Sequence, residues 1–370
     1  MIVKSLKLNQ FRNYESLQLS FDKGTNLFYG NNAQGKTNIL EAVYLCGTTK
    51  SHKGSKDREM IRFGEEEAHI RMAISRSQSA YEIDMHLKKN RPKGIAVNGV
   101  PIRKAAELLG IANFVFFSPE DLGIIKNGPA ERRRFIDMEL CQLDKLYLHE
   151  LSNYNKVIIQ RNKLLKECSF NSQYEEMLDI WDMQLVKYGK KLIESRERFV
   201  KELGVIVAEI HRNLTGGREE LMKVEYEKNV SADEFERKLQ TSRKRDLKVK
   251  MSMTGPHRDD LLFEVKGVDI RRFGSQGQQR SAALALKLAE IEIVKRKVND
   301  TPVLLLDDVL SELDSSRQNY LLDSIHDIQT FITCTGLEEF VRHRFHMDQI
   351  YHVERGVVTR VNSLNSETIF

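Results

Sequence analysis

The chain has 370 residues, 41% hydrophobic and 30% charged, which is ample for two or three domains with real cores and argues against a disordered chain. Lys and Arg number 58 against 53 Asp and Glu, a net charge of +5, so a surface for a polyanion is permitted without being demanded. Cys46, Cys141, Cys168 and Cys334 form no C-x-x-C pair, no run nears the ~18 apolar residues of a membrane span, and no signal stretch opens the chain; a cysteine zinc site, a disulfide framework and a membrane anchor are disfavoured, and a reducing cytoplasm fits.

The first 40 residues alternate as strands do, through Ile2, Leu6 and Leu8, then Leu17, Leu19 and Phe21, then the apolar run Leu27, Phe28, Tyr29. After Lys36 the spacing becomes helical, with Ile39, Leu40, Ala42, Val43 and Leu45. Residues 68–100 return to strand alternation and end at Asn98-Gly99, a hairpin signal. From about Glu131 to Arg245 apolar residues recur at three and four between charges, with almost no Gly or Pro, which predicts long amphipathic helices; Cys141, Cys168 and Trp181 fall there as packing residues. Residues 261–273 read as strand and 276–298 as helix, and "PVLLLDD" is a short apolar strand of the kind buried in a parallel sheet. The pattern predicts an α/β domain, residues 1–130 and 251–370, interrupted by a helical insertion over 131–250.

Residues 30–37, "GNNAQGKT", satisfy G-x-x-x-x-G-K-[ST] at Gly30, Gly35, Lys36 and Thr37, between an expected strand and an expected helix. A glycine loop there turns backbone N–H groups onto a phosphate, the helix N-terminus adds positive potential, Lys36 neutralises β- and γ-oxygens, and Thr37 ligates magnesium. In "LLLDDVLSELD" the strand ends in carboxylates, Asp307 to hold Mg²⁺ and Asp308 to orient an attacking water. In "FGSQGQQRSAALALKLAE", Ser275 and Gly277 form a small polar loop before a helix, a further anion site.

The order of these elements, with "FRNY", "SPEDL", "ERRRFID" and "GPHRDD", resembles the RecF family of bacterial recombination mediators, SMC-like ABC ATPases. The motifs span residues 11 to 314. The resemblance implies an ABC-type ATPase head of mixed sheets with a P-loop helix, assembled from the two ends of the chain around an inserted, mainly helical domain. That insertion is too short for long coiled-coil arms: two paired helices of roughly 45 residues reach about 70 Å.

The resemblance further implies that Gly30, Asn31, Asn32, Ala33, Gln34, Gly35, Lys36, Thr37 and Asn38 bind ATP, with Arg12 and Asn13 touching nucleotide and Thr37 and Asp307 holding Mg²⁺. Ser275, Gly277, Gln278 and Gln279 of a second protomer would meet the same γ-phosphate, with Asp314 at the seam, so that ATP joins two chains and slow, DNA-stimulated hydrolysis by Lys36 and Asp308 releases them. Double-stranded DNA near single-strand gaps, RecR, RecO and RecA are the implied partners in replication and repair. Against the wider ABC pattern, Asp308 stands where a glutamate is usual, Thr333 or Thr335 replaces the switch histidine, and no Q-loop glutamine stands out near "FFSPEDLGII".

Three basic clusters offer phosphate contacts: Lys50, Lys53, Lys56 and Arg58; Arg132, Arg133 and Arg134; and Arg243, Lys244, Arg245, Lys248 and Lys250. Each reads equally as solvated charge, and the few aromatics among them disfavour stacking on single-stranded bases. "HRDD" at 257–260 is no protein-kinase loop, since Glu264 stands where that motif has Asn. The alternatives are a small-molecule P-loop kinase acting within one protomer, which would need neither the serine-glycine loop nor the helical segment, and a scaffold that binds ATP without hydrolysing it.

Overall fold

The computed structural model describes residues 1–77, 79–104, 107–167, 176–217, 221–337 and 347–361. The chain forms two compact units, one of Met1–Asp121 with Glu290–Phe370, the other of Leu122–Ala289. Strands β1 (Ile2–Phe11), β2 (Tyr14–Ser20) and β3 (Thr25–Tyr29) open the first unit. On β1, Val3, Leu6, Leu8 and Phe11 are buried and Lys4, Lys7 and Asn9 exposed, a bulge between Val3 and Ser5 keeping Val3 and Leu6 on one face. Helix α1 (Lys36–Thr48) and the short α2 (Asp57–Met60) precede β4 (Glu67–Arg76), β5 (Ser79–Lys88), β6 (Arg91–Val97), β7 (Val100–Pro101) and β8 (Phe114–Phe117). Asn98 and Gly99 take φ of 52° and 76° between β6 and β7, the paired left-handed residues that the Asn-Gly signal predicts.

The second unit holds α3 (Leu122–Lys126), α4 (Pro129–Leu143), α5 (Lys145–Glu167), α6 (Leu178–Leu214), β9 (Lys223–Glu227), α7 (Phe235–Val249), β10 (Asp260–Val265), β11 (Val268–Asp269) and α8 (Ile270–Phe273). Helix α9 (Gln276–Val298) then leads to β12 (Val303–Asp307), α10 (Ser315–Ser324), β13 (Thr330–Cys334), β14 (Gln349–Glu354) and β15 (Val357–Val361) of the first unit.

In the first unit a six-stranded antiparallel sheet, β2-β1-β4-β5-β6-β7, and a six-stranded mixed sheet, β15-β14-β3-β13-β12-β8, both pack against α1. In the mixed sheet β14, β3, β13, β12 and β8 run parallel, so the carboxyl ends of β3, β13 and β12 share one edge. Their continuous apolar sequence follows from burial on both faces. Phe21, Phe28, Phe331 and Tyr351 fill the core beside them, Phe28 stacked on Tyr351 at 4.9 Å.

The second unit extends beyond the helical segment expected over 131–250. Strand β9, with only Val224 well buried among charged residues, carries too weak a pattern to be read from sequence, yet it pairs with β10 from Asp260↔Glu227 to Glu264↔Lys223. Residues 251–289 therefore pack with the helices. Helices α5 and α6 lie antiparallel, since Tyr147 meets Arg196, Glu150 meets Lys191 and Arg161 meets Asp182. Cys141 is buried and Trp181 packs on Leu164, Leu165 and Leu178; Cys168 lies outside the described residues. Among the described residues no helix is long and apolar enough to cross a membrane.

Candidate functional site

Strand β3 delivers the chain to Gly30 at φ 147°, where a Cβ would stand 2.3 Å from the Val353 carbonyl oxygen, so the first glycine of the loop is required by close backbone approach. Gly35 at φ 115° likewise leaves no room, a Cβ meeting Asn13 Nδ2 at 2.4 Å. Between them Asn31, Asn32 and Ala33 are exposed, Ala33 with φ of 63°. The loop is gripped from two sides. Asn13 Nδ2 donates to the Gln34 carbonyl at 2.9 Å and Asn13 Oδ1 accepts from Asn38 Nδ2 at 2.8 Å, while the Tyr14 hydroxyl donates to the Gly35 carbonyl at 3.0 Å. From the β14–β15 turn, the Arg355 N–H donates to Gln34 Oε1 at 2.6 Å and the Gly356 N–H to the Gln34 carbonyl at 3.3 Å.

Lys36 begins α1, and its ammonium donates to the Gly30 and Asn31 carbonyls at 2.6 and 2.8 Å, pinned across the loop. Burial lowers its pKa, opposed by the nearby charges of Asp308 and Asp307. One residue on, the Thr37 hydroxyl donates to Asp307 Oδ1 at 2.8 Å, across 270 residues of sequence. The Thr333 hydroxyl of β13 donates to the same oxygen at 2.7 Å and accepts from the Asp308 N–H at 3.0 Å. Asp308 takes φ of 54° just past β12, which turns it out of the strand. Burial raises its carboxyl pKa, with Lys36 opposing and Asp307 and Glu312 adding to the rise. Asp308, Ser311, Thr333 and Thr335 line a cavity of about 250 Å³. A hydroxyl and a carboxylate at hydrogen-bond distance beside a helix N-terminus are the hard oxygen donors that suit Mg²⁺.

Arg12, expected near the nucleotide, is tied to the helix that follows the loop. Its guanidinium is bidentate to Glu41 of α1 at 2.8 Å twice, and also donates to Ser55 Oγ and the Glu59 carbonyl. Burial works to raise the Glu41 carboxyl's pKa, but the bonds from Arg12 and Ser51 hold it below the usual value. Arg12 thus anchors α1 under the loop. Glu41, Arg355 and Gly356 were given no role from the sequence, and "FRNY" included Tyr14 without saying what it does, so their support of the loop was invisible before the fold.

In the second unit Ser275 and Gly277 are exposed at the start of α9. The Gln278 N–H donates to Ser275 Oγ at 3.3 Å and the Ser275 N–H to Gln278 Oε1 at 2.9 Å, a reciprocal cap that orders the loop. Gln279 turns inward instead, buried and donating to the Ile270 carbonyl at 2.8 Å. Asp314, exposed, caps α10 by accepting from the Arg317 N–H at 3.0 Å.

The basic clusters separate. Lys53, Lys56 and Arg58 are exposed, as are Lys244 and Arg245. Arg243 is held by Asp179 and Asp182 at 2.5 and 2.6 Å. Arg132 is buried, paired with Asp260 at 2.5 Å, and Arg133 donates to the Asp259 carbonyl at 2.7 Å; these two are structural cations. The "GPHRDD" loop explains them. His257 Nε2 faces the Ser252 carbonyl at 2.9 Å and must donate to it, leaving Nδ1 to accept from the Tyr154 hydroxyl at 2.7 Å. Asp259 accepts from the Asn229 N–H at 2.8 Å, from Tyr226 and from Arg196. The loop is a polar hub of the second unit.

The model of the RecF/RecN/SMC N-terminal domain matches residues 2–359. The DNA replication and repair protein RecF of Agathobacter rectalis is 62% identical over 358 residues, 97% of this chain and 99% of that protein. The chain belongs to the RecF family. A second relative, RecF of Lachnoclostridium phytofermentans, is 61% identical over 360 residues, covering 97% of this chain and all of that one. Among solved structures, the recombination mediator protein RecF with ATP superposes at a TM-score of 0.91, with 35% identity over 97% of each chain. An Smc head domain from Pyrococcus furiosus follows at 0.56 and 18% identity, covering 97% of this chain and 95% of that one, a likeness of fold alone. The fold of this RecF-family chain is that of an SMC-like ABC ATPase head with a mainly helical insertion.

Proposed function

We propose that this protein is an ATP-dependent DNA-binding ATPase of replication and recombinational repair. ATP with Mg²⁺ would occupy the loop of residues 30–37, join two chains into a dimer on duplex DNA near single-strand gaps, and be hydrolysed slowly with DNA as stimulant. RecR, RecO and RecA are the partners of that reading, which assigns it to loading of the recombinase. The observation that carries it is the contact of Thr37 with Asp307 at 2.8 Å, because it unites a phosphate loop and an acidic strand end from opposite ends of the chain. The printed names of the relatives, DNA replication and repair proteins, and of the solved RecF structure with ATP support the same reading.

In this mechanism Lys36 exchanges its two loop carbonyls for phosphate oxygens, a trade of neutral for charged acceptors. Thr37 and Asp307 would hold Mg²⁺, which neutralises charge on the β- and γ-phosphates. Thr333 keeps Asp307 oriented and fixes the backbone of Asp308. Asp308, with its raised pKa, accepts the proton of the attacking water. Ser275, Gly277 and Gln278 of a second protomer would complete the site in trans, although their segment packs within the unit that holds the helices. Lys53, Lys56, Arg58, Lys244 and Arg245 are the phosphate contacts we assign, with Arg243 held back by its aspartates. Sedimentation mass of the Asp308→Asn protein, with and without ATP and Mg²⁺, tests the proposal. A doubling with ATP that Ser275→Arg abolishes is expected; a mass that never changes would overturn the dimer and favour a small-molecule kinase acting within one protomer.

A further inference from the structure

The outer face of the antiparallel sheet carries a cluster that the nucleotide site does not use. Glu67 and His69 lie two residues apart on β4 and so share a face, and His86 on β5 is the direct cross-strand partner of His69. The two imidazoles stack with centroids 3.9 Å apart and planes 24° from parallel. Both turn Nε2 toward one carboxylate: His86 Nε2 lies 2.9 Å from Glu67 Oε2 and His69 Nε2 lies 3.8 Å from Glu67 Oε1. The three ligand atoms are all within 4.8 Å of one another. His69 and His86 also line a groove of about 650 Å³ together with Lys7, Asn9, Arg71 and Asp84. Gly94, opposite His86 on β6, adds no side chain on that flank.

We propose that Glu67, His69 and His86 form a binding site for one divalent transition-metal ion of the zinc class, with its remaining position open to water from the groove. Two imidazoles and a carboxylate are a donor set for zinc, copper or nickel and a poor one for magnesium or calcium, so the site is chemically distinct from the nucleotide loop. The geometry is close to what binding needs. Ligands on a tetrahedral ion with bonds of about 2.1 Å stand roughly 3.4 Å apart, and the observed separations of 2.9 and 3.8 Å bracket that value. The β4–β5 ladder runs without a break from Glu67↔Lys88 to Arg76↔Ser79, so side-chain rotation alone closes the difference. Binding exchanges the His86–Glu67 hydrogen bond for two bonds to the ion. Of the neighbouring cations, Arg71 is engaged by Asp84 at 2.5 Å, and Lys88, 3.9 Å from Glu67 Oε2, is exposed enough to leave its ammonium in water.

Cobalt(II) titration of the full chain without nucleotide tests this site. The expected result is an intense visible spectrum of tetrahedral type that saturates at one ion per chain and is bleached by zinc. His69→Ala and His86→Ala each lower affinity by at least about tenfold, a loss that even outer-shell changes at metal sites reach, while His326→Ala, on an exposed turn, changes nothing. Both positions face solvent, and unchanged melting of the metal-free variants confirms their folding. A pale octahedral spectrum only, or histidine variants that bind as tightly as the parent, would overturn the proposal and leave the three residues as a hydrogen-bonded surface cluster.

Discussion

Lys36 at the start of α1 and Arg161 in the middle of α5 are both buried cations, yet their partners differ in kind. Lys36 donates to loop carbonyls, neutral groups, and the Asp308 and Asp307 carboxylates act on it through space without a hydrogen bond. Arg161 donates to Asp182, Asp246 and Ser252 at 2.5, 2.7 and 2.7 Å, and Arg196 is likewise held by Asp137 and Asp259. A cation satisfied by carboxylates is spent on the fold, whereas one satisfied by carbonyls keeps its affinity for an anion from outside. Charge density in the sequence is the same signal in both cases; the partner decides the role.

Breaking the second kind of site should cost the most stability. Arg161→Ala leaves Asp182 and Asp246 facing each other without their shared cation, an expected loss of about 3–5 kcal/mol in urea unfolding, with nucleotide affinity per folded chain unchanged. A loss below ~1 kcal/mol would show the network to be dispensable. Lys36→Ala is the mirror image. It should weaken ATP by roughly 3 kcal/mol, about two charge-assisted hydrogen bonds, as read by calorimetric titration, while the unfolding midpoint barely moves; retained ATP affinity would remove the lysine from the site.

The comparison sharpens with pH. Burial pushes the His257 pKa down to about 4, below its unfolded value near 6.5, so the unfolded chain binds the extra proton. Stability from this group is complete above pH ~6.5 and is lost as pH falls toward 4, by up to about 3 kcal/mol. His257→Gln should flatten that part of the pH–stability curve, and an identical slope in the variant would assign the loss elsewhere. The smallest effect belongs to Thr333→Val, which keeps the shape and removes the hydroxyl shared by Asp307 and the Asp308 N–H. About 1 kcal/mol of stability and a several-fold drop in ATP turnover are expected, the latter being the decisive reading: unchanged turnover would make Thr333 a packing residue.

The two charged regions were also unequally legible. The strand, glycine loop and helix around residues 25–48 and the strand that ends at Asp307 could be read because close-packed turns demand glycines and a buried strand must be apolar up to its acidic end. Helix α9 was placed to the residue, since a run of Ala and Leu, buried throughout 281–291, follows the small polar loop at Ser275 and Gly277. The second unit hid more. Arg132 and Arg243 look like any surface cation until Asp260, Asp179 and Asp182 are brought beside them by folding, and Gln279 looks like its half-buried neighbour Gln278 until the helix turns it inward. The hold of Arg12 on Glu41 was hidden for the same reason, the two lying 29 residues apart in sequence. Strand β9 escaped because one well-buried valine makes no period.

The turn at Arg355 and Gly356 braces Gln34, and β3 is clamped between β13 and β14, which places β14 and β15 directly against the loop of residues 30–37. During synthesis, then, the antiparallel sheet of residues 2–101 has all its strands early, while the loop, held first by Asn13 and Tyr14, gains its second brace only once Arg355 and Gly356 have emerged. Slow, long-range pairing of this sort is the rate-limiting kind. A variant that unseats β14 and β15 would keep the loop sequence and lose this brace, so the order of the loop reads out pairing across 321 residues of sequence.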